Sequence, residues 1–234
     1  AREGARVAVM ARTAEDLDET VRKIDRAGGE GLAISGDVSS ASDLQDAYSQ
    51  IIEQWARLDI VVANAGINGV WAPIEQLGVD EWDETLAINL RGTFMTIKFA
   101  VPLLRERGGA IVVVSSINGN RVFSSPGAVA YGCSKAGQLV ITKFMAIGLG
   151  QYGIRVNCIC PGRIDTDIEE NTERRNPDQA RPPIEFPEGD IPLTGDASGS
   201  AAQVAALAWF LASDAADHIT GTEVYIDGAQ SLMK

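Results

Sequence analysis

Along the chain, short apolar runs alternate with longer stretches whose hydrophobic positions recur every three or four residues. Arg6–Ala11 is the first run. The amphipathic stretch after it, from about Ala14 to Ala27, stops at Gly28-Gly29, where left-handed backbone costs nothing sterically. Leu32–Ser35 is a second run, and Ser39, Ser40, Ser42 and Asp43 offer capping oxygens for a helix reaching about Trp55. Asp59–Gly66 is a third strand. The long amphipathic stretch from Val79 to Arg107 reads as one helix closed by Gly108-Gly109. Strands over Ala110–Ser115, Ile154–Cys160 and Glu223–Ile226 then alternate with helices over Ala128–Gly150 and Ala201–Ser213.

These runs are apolar throughout, so both faces of each strand are buried. Strands of that kind, separated by helices, build a doubly wound parallel sheet in a three-layer α/β/α single domain spanning residues 1–234. In such sheets ligands bind beyond the carboxyl ends of the strands. That rule singles out Arg12-Thr13, Asp37-Val38, Asn64-Ala65-Gly66, Ser115-Ser116 and Pro161-Gly162. One stretch breaks the rhythm, from about Thr166 to Ser200. It carries Pro177, Pro182, Pro183, Pro187 and Pro192 with little periodicity, and it reads as a substrate lid over about 167–199.

Composition narrows the class. The chain has 234 residues, 45% hydrophobic, with 20 basic against 32 acidic side chains and a net charge of -12. That excess of negative charge argues against nucleic acid or an anionic membrane as partner. No apolar run approaches the roughly 18 residues of a membrane span, and no signal-peptide pattern opens the chain. Three cysteines are too few for a disulfide framework and suit a reducing cytoplasm. Cys158 and Cys160, alternating along a strand, are read as small buried hydrophobes on opposite faces. Cys133 shows no strong sign of reactivity, and no metal site is expected.

The chemistry concentrates in Tyr131-Gly132-Cys133-Ser134-Lys135. Tyr131 and Lys135, four apart, project from one helix face, and an ammonium near a phenol pulls its pKa down toward neutrality. A phenol tuned in this way serves as general acid or base. Ser116, at the end of a strand, can orient a substrate oxygen. Asn89 is a poor helix former placed in the middle of a helix.

Together these residues resemble the short-chain dehydrogenase/reductase family. The match runs through Asp37-Val38, Asn64-Ala65-Gly66, Asn89, Ser116, Tyr131 with Lys135, Pro161-Gly162 with Thr166, Ile219-Thr220-Gly221 and Asp227-Gly228. The resemblance covers nearly the whole chain in family order and implies a Rossmann-type fold. By it, Tyr131 is the catalytic acid/base, Lys135 binds the nicotinamide ribose, Ser116 orients substrate, and Asn89 holds the water of a proton relay. Asn64, Ala65 and Gly66 floor the cofactor site, Asp37 and Val38 meet the adenine, and Ile164 and Thr166 meet the nicotinamide end. The implied reaction is reversible hydride transfer between a nicotinamide and an alcohol/ketone substrate, in a homodimer or homotetramer assembled through the helices Val79–Arg107 and Ala128–Gly150.

The sequence departs from the family at its start. The family's first strand and glycine-rich phosphate turn do not occur, so some 20–30 further N-terminal residues, roughly, are expected; loss of that central strand would split the sheet. Arg12, with no acid until Glu15, favours the 2′-phosphate of NADP(H), the alternative being NAD(H). Trp71, Val122, Phe123, Phe186 and Leu193 are candidate pocket liners, and Glu169, Glu170, Glu173, Arg174 and Arg175 candidate lid charges. His218 reads as a capping or surface residue. A non-catalytic nucleotide-binding scaffold, a 3-oxoacyl thioester reductase and a sugar alcohol dehydrogenase all remain open as alternatives.

Overall fold

The alternating pattern folds as alternating strands and helices. The structure is a computed structural model and describes residues 1–169, 172–181, 183, 191–195 and 197–233. In order these are β1 (Val7–Ala11), α1 (Ala14–Arg26), β2 (Gly31–Ser35), α2 (Ala41–Trp55), β3 (Ile60–Ala63), β4 (Val70–Trp71) and α3 (Val79–Leu86). A π-helical turn (Ala87–Arg91) leads into α4 (Gly92–Leu104), followed by β5 (Gly109–Val114), α5 (Val129–Leu149) and β6 (Ile154–Pro161). Then come β7 (Ile164–Asp165), β8 (Glu173–Arg174), α6 (Pro177–Ala180), β9 (Gly199–Ser200), α7 (Ala201–Ala212) and β10 (Glu223–Ile226).

All the strand pairs are parallel, in a Rossmann-like fold. The main sheet runs β10-β6-β5-β3, and β1 pairs with β2 in a separate two-stranded sheet. Among the described residues β1 and β3 do not pair, so the sheet stands in two parts. Tyr48 and Leu58 pack against the cores of both parts and tie them together.

Period-two alternation sorts the core. Ile111 and Val113 of β5 and Val156 and Cys158 of β6 face α4 and α5, meeting Ile97, Ala100, Leu104, Leu139, Ala146 and Leu149. Val112 and Ile159, one residue out of phase, meet Leu211 of α7. Cys158 and Cys160 lie two residues apart and therefore share a face. Both enter the α4/α5 core, which corrects the expectation that they point opposite ways. Gly108-Gly109 does more than end a helix. A Cβ on Gly108, at φ +76°, would stand 2.7 Å from the Gly153 carbonyl oxygen.

The expected helix over 79–107 is interrupted. At Ala87–Arg91 the ladder slips by one residue, with Gly92 N–H donating to the Ala87 carbonyl. Asn89 sits inside this turn and is fully buried. Two short pairings tether the lid. β8 lies beside β4, aligning Trp71 with Arg174, and β9 lies beside β7.

Candidate active site

The carboxyl end of β5 delivers Ser115 and Ser116, and the first turns of α5 face them with Tyr131, Ser134 and Lys135. The two elements are stitched together where the backbone leaves the sheet. Ser115 Oγ donates to the Lys135 carbonyl at 2.8 Å, and Lys135 Nζ donates back to the Val114 carbonyl at 3.1 Å. Ser116 accepts from Asn118 N–H at 3.2 Å, and its hydroxyl lies near enough to the Tyr131 phenol to lower its pKa. The Lys135 ammonium lies 5.5 Å from the Tyr131 ring centroid.

Burial sets the electrostatics. It pushes the Tyr131 phenol above its ordinary value; the Ser116 hydrogen bond opposes this and the Glu169 charge adds to it. The pull toward neutrality expected of Lys135 is outweighed in this geometry by burial of the phenol. Lys135 is buried without an ion pair, and desolvation lowers it to about 8.

Asn89 clamps the neighbouring loop. Its Oδ1 accepts from Ile67 N–H and its Nδ2 donates to the Ile67 carbonyl, both at 2.8 Å, while a second Nδ2 bond reaches Ser134 Oγ at 3.0 Å. Ser134 in turn donates to the Tyr131 carbonyl at 2.7 Å. The clamp brings Gly66 against the site: a Cβ there would lie 3.2 Å from Asn89 Oδ1 and 3.5 Å from Lys135 Nζ. Asn64 and Ala65, just before it, are exposed at the end of β3.

The other sequence-predicted residues spread along the strand ends. Asp37 accepts from Ser39 N–H through Oδ1 at 2.8 Å, and Val38 packs against Gly92, where a Cβ would come within 3.0 Å of it. Gly162 N–H donates to the Ile226 carbonyl, and Gln230 Oε1 accepts from Arg163 N–H beside it. Ile164 lies in β7, and Thr166 is exposed just beyond it. Arg12 and Thr13 are exposed after β1, and Arg12 forms no ion pair among the described residues. Of the proposed pocket liners, Trp71 stands 6.4 Å from the Tyr131 ring centroid. Val122 is buried, Phe123 and Leu193 are solvent-exposed, and Phe186 lies outside the described residues, as does Glu170.

Ser115 was singled out with Ser116 at a strand end, whereas roles for Ser134, Thr93 and Gln138 were not anticipated. Ser134 and Gln138 share the helical face of Tyr131 at i+3 and i+7, which was the available signal. Glu169 was anticipated only as a lid charge. It pairs with Arg174 at 2.5 Å, and that guanidinium lies 5.2 Å from the Trp71 ring centroid.

A buried lysine, a phenol beside a strand-end hydroxyl and a clamped glycine loop lie together at the carboxyl ends of a parallel sheet. A family model described as enoyl-(acyl carrier protein) reductase matches residues 1–229, and the chain belongs to the short-chain dehydrogenase/reductase family. A solved 3-ketoacyl-ACP reductase from Sinorhizobium meliloti 1021 is 48% identical with a TM-score of 0.94, the match covering 99% of this chain and 91% of that one. An uncharacterized NAD-dependent oxidoreductase of Mycobacterium tuberculosis is 34% identical over 92% of this chain and 78% of its own length. A 3beta-hydroxysteroid dehydrogenase of Mediterraneibacter gnavus is 34% identical over 97% of this chain and 86% of its own. The protein is therefore an oxidoreductase that moves hydride between a nicotinamide cofactor and an alcohol or ketone. Among the described residues, no helix is long and apolar enough to cross a membrane.

Proposed function

We propose that Tyr131 is the acid/base of this reaction, giving a proton to the ketone oxygen in reduction and taking it back in oxidation. The observation that carries this reading is that Ser116, at the carboxyl end of β5, and Tyr131, in the first turn of α5, are close enough for the serine hydroxyl to lower the phenol's pKa, so that one substrate oxygen can meet both hydroxyls. Ser116 orients that oxygen. Lys135 has three donors and spends one on Val114, so two remain for the hydroxyls of a ribose. A nicotinamide dinucleotide fits this donor set, with Asn64, Ala65 and Gly66 beneath it and Asp37, Val38, Pro161, Gly162, Ile164 and Thr166 along its length. When bound, it supplies or accepts the hydride. Asn89 holds the Gly66-Ile67 backbone in register with Lys135.

The reading is tested by following nicotinamide absorbance with a panel of ketones. Wild type should turn over, and Tyr131→Phe should lose turnover while still binding cofactor.

For the cofactor we favour NADP(H), because Arg12 is exposed and unpaired at the end of β1, where it can meet a 2′-phosphate. Arg12→Ala should raise the Michaelis constant for NADPH about tenfold and leave that for NADH nearly unchanged, a charge-assisted contact being worth about that much. An unchanged NADPH constant contradicts the assignment. The NAD dependence printed for the Mycobacterium relative favours NAD(H) as the second reading.

We also assign a homodimer or homotetramer, supported by Val140, Phe144 and Ile147 exposed along α5 and Phe94 exposed on α4. The free thiols Cys133, Cys158 and Cys160 suit a reducing cytoplasm. The lid over about 167–199 would close on substrate from its tethers at β4 and β7.

A further inference from the structure

Gln138 lies on α5 one turn beyond Lys135 and is fully buried. Its amide is used at one end only. Nε2 donates to the Asn89 carbonyl at 2.8 Å and to Thr93 Oγ1 at 2.8 Å, whereas Oε1 is buried and meets no donor among the described residues. Turning the amide over would set oxygen against the Asn89 carbonyl, so the donor end is fixed by its acceptors. A buried acceptor left unmatched is costly, and the compensation lies in what the two N–H groups hold.

They hold the π turn. Thr93 Oγ1 also donates to the Asn89 carbonyl, at 2.7 Å, so that carbonyl accepts from two side chains at once. A slipped hydrogen-bond ladder leaves backbone groups that need such partners. The side chain of the same Asn89 reaches the opposite way, onto Ile67 and Ser134. One residue is thus held by its backbone from Gln138 and Thr93 and itself holds the loop that carries Gly66. With both side-chain contacts occupying its carbonyl, the unfilled acceptor capacity of Asn89 is on Oδ1, the atom facing Gly66.

We propose that Gln138 is a positioning residue for the reaction, its N–H groups locking the π turn to the helix that bears Tyr131 and Lys135. The inference rests on the functional reading above. The role requires donors, which separates it from filling space. Gln138→Met keeps the volume and removes both donors. Gln138→Glu removes them when ionised but restores one when protonated, and burial against two oxygens raises its pKa.

Steady-state kinetics with a ketone and saturating cofactor, cofactor binding by fluorescence and thermal unfolding decide it. Gln138→Met should fold, bind cofactor within about twofold of wild type, and lose about tenfold in kcat, the effect of one or two lost hydrogen bonds. The ratio of kcat for Gln138→Glu to wild type should climb about fivefold or more from pH ~9 to pH ~6 as the carboxyl gains its proton, while the Gln138→Met ratio stays flat. Tyr131 and Lys135 titrate in all three proteins and cancel in these ratios. Should the glutamate variant fail to fold, Thr93→Val, which removes the shared hydroxyl, should lower kcat several-fold with cofactor binding retained. Wild-type kcat in Gln138→Met, or a glutamate ratio that stays flat with pH, overturns the proposal. A wild type that turns over no ketone instead defeats the functional reading beneath it.

Discussion

Lys135 sets stability against chemistry. It is 4% exposed, has one side-chain hydrogen bond and no carboxylate partner among the described residues, and desolvation holds it at about 8, below the ordinary 10.5. Below pH 8 both folded and unfolded chains carry the charge, and the folded state bears the full cost of burying it. Between about 8 and 10.5 the unfolded chain binds the extra proton, so stability rises with pH across that window. The span corresponds to on the order of 3 kcal/mol. Lys135→Met should therefore unfold several degrees higher at neutral pH, lose that alkaline rise, and be inactive. Calorimetry between pH ~7 and pH ~10 checks it, and a variant less stable than wild type contradicts it. The identity of this lysine was legible in the Tyr131–Lys135 spacing. Its electrostatics were not, because spacing gives proximity and says nothing of burial or of Val114 as a competing acceptor. The same gap explains Gln138: a partner 49 residues away leaves no trace in helical periodicity.

Among the elements, those made by local pattern were readable. The expected strand over 223–226 coincides with β10, and α2 begins after Ser40, whose side chain accepts from Asp43 N–H as its capping chemistry suggests. The π turn was hidden, since a one-residue slip between flanking apolar helices changes no hydrophobic count. The irregular stretch proposed as a lid was marked in the sequence by its prolines. Its tethers were not, because Trp71 pairs with Arg174 and Glu81 with Arg175 across about a hundred residues. α5 shows the opposite case, an element only half explained by its own fold. Its inward face packs Leu139, Ala146 and Leu149, while Phe144 is 69% and Ile147 84% exposed. Apolar side chains at such spacing on one helix face support the proposed dimer or tetramer. Phe144→Glu combined with Ile147→Glu should convert the wild-type oligomer to monomer in light scattering at micromolar concentration. A monomeric wild type, or a double variant of unchanged mass, contradicts the assigned interface.

For the molecule as a whole, parallel topology followed from strands apolar on both faces, and the site followed from the rule that ligands gather at strand carboxyl ends. The core assignment of Cys158 and Cys160 held while their facing did not, an error of period-two geometry and not of chemistry. The described strands divide into β1-β2 and β10-β6-β5-β3, joined through Tyr48 and Leu58. The central claim is that Tyr131 transfers the proton that accompanies hydride transfer. It is tested most directly by comparing wild type and Tyr131→Phe in ketone reduction, with NADPH and NADH, alongside cofactor binding. The account predicts turnover by wild type and a loss of about a hundred- to ten-thousand-fold in the variant, with cofactor affinity retained. Turnover by Tyr131→Phe close to that of wild type would contradict it.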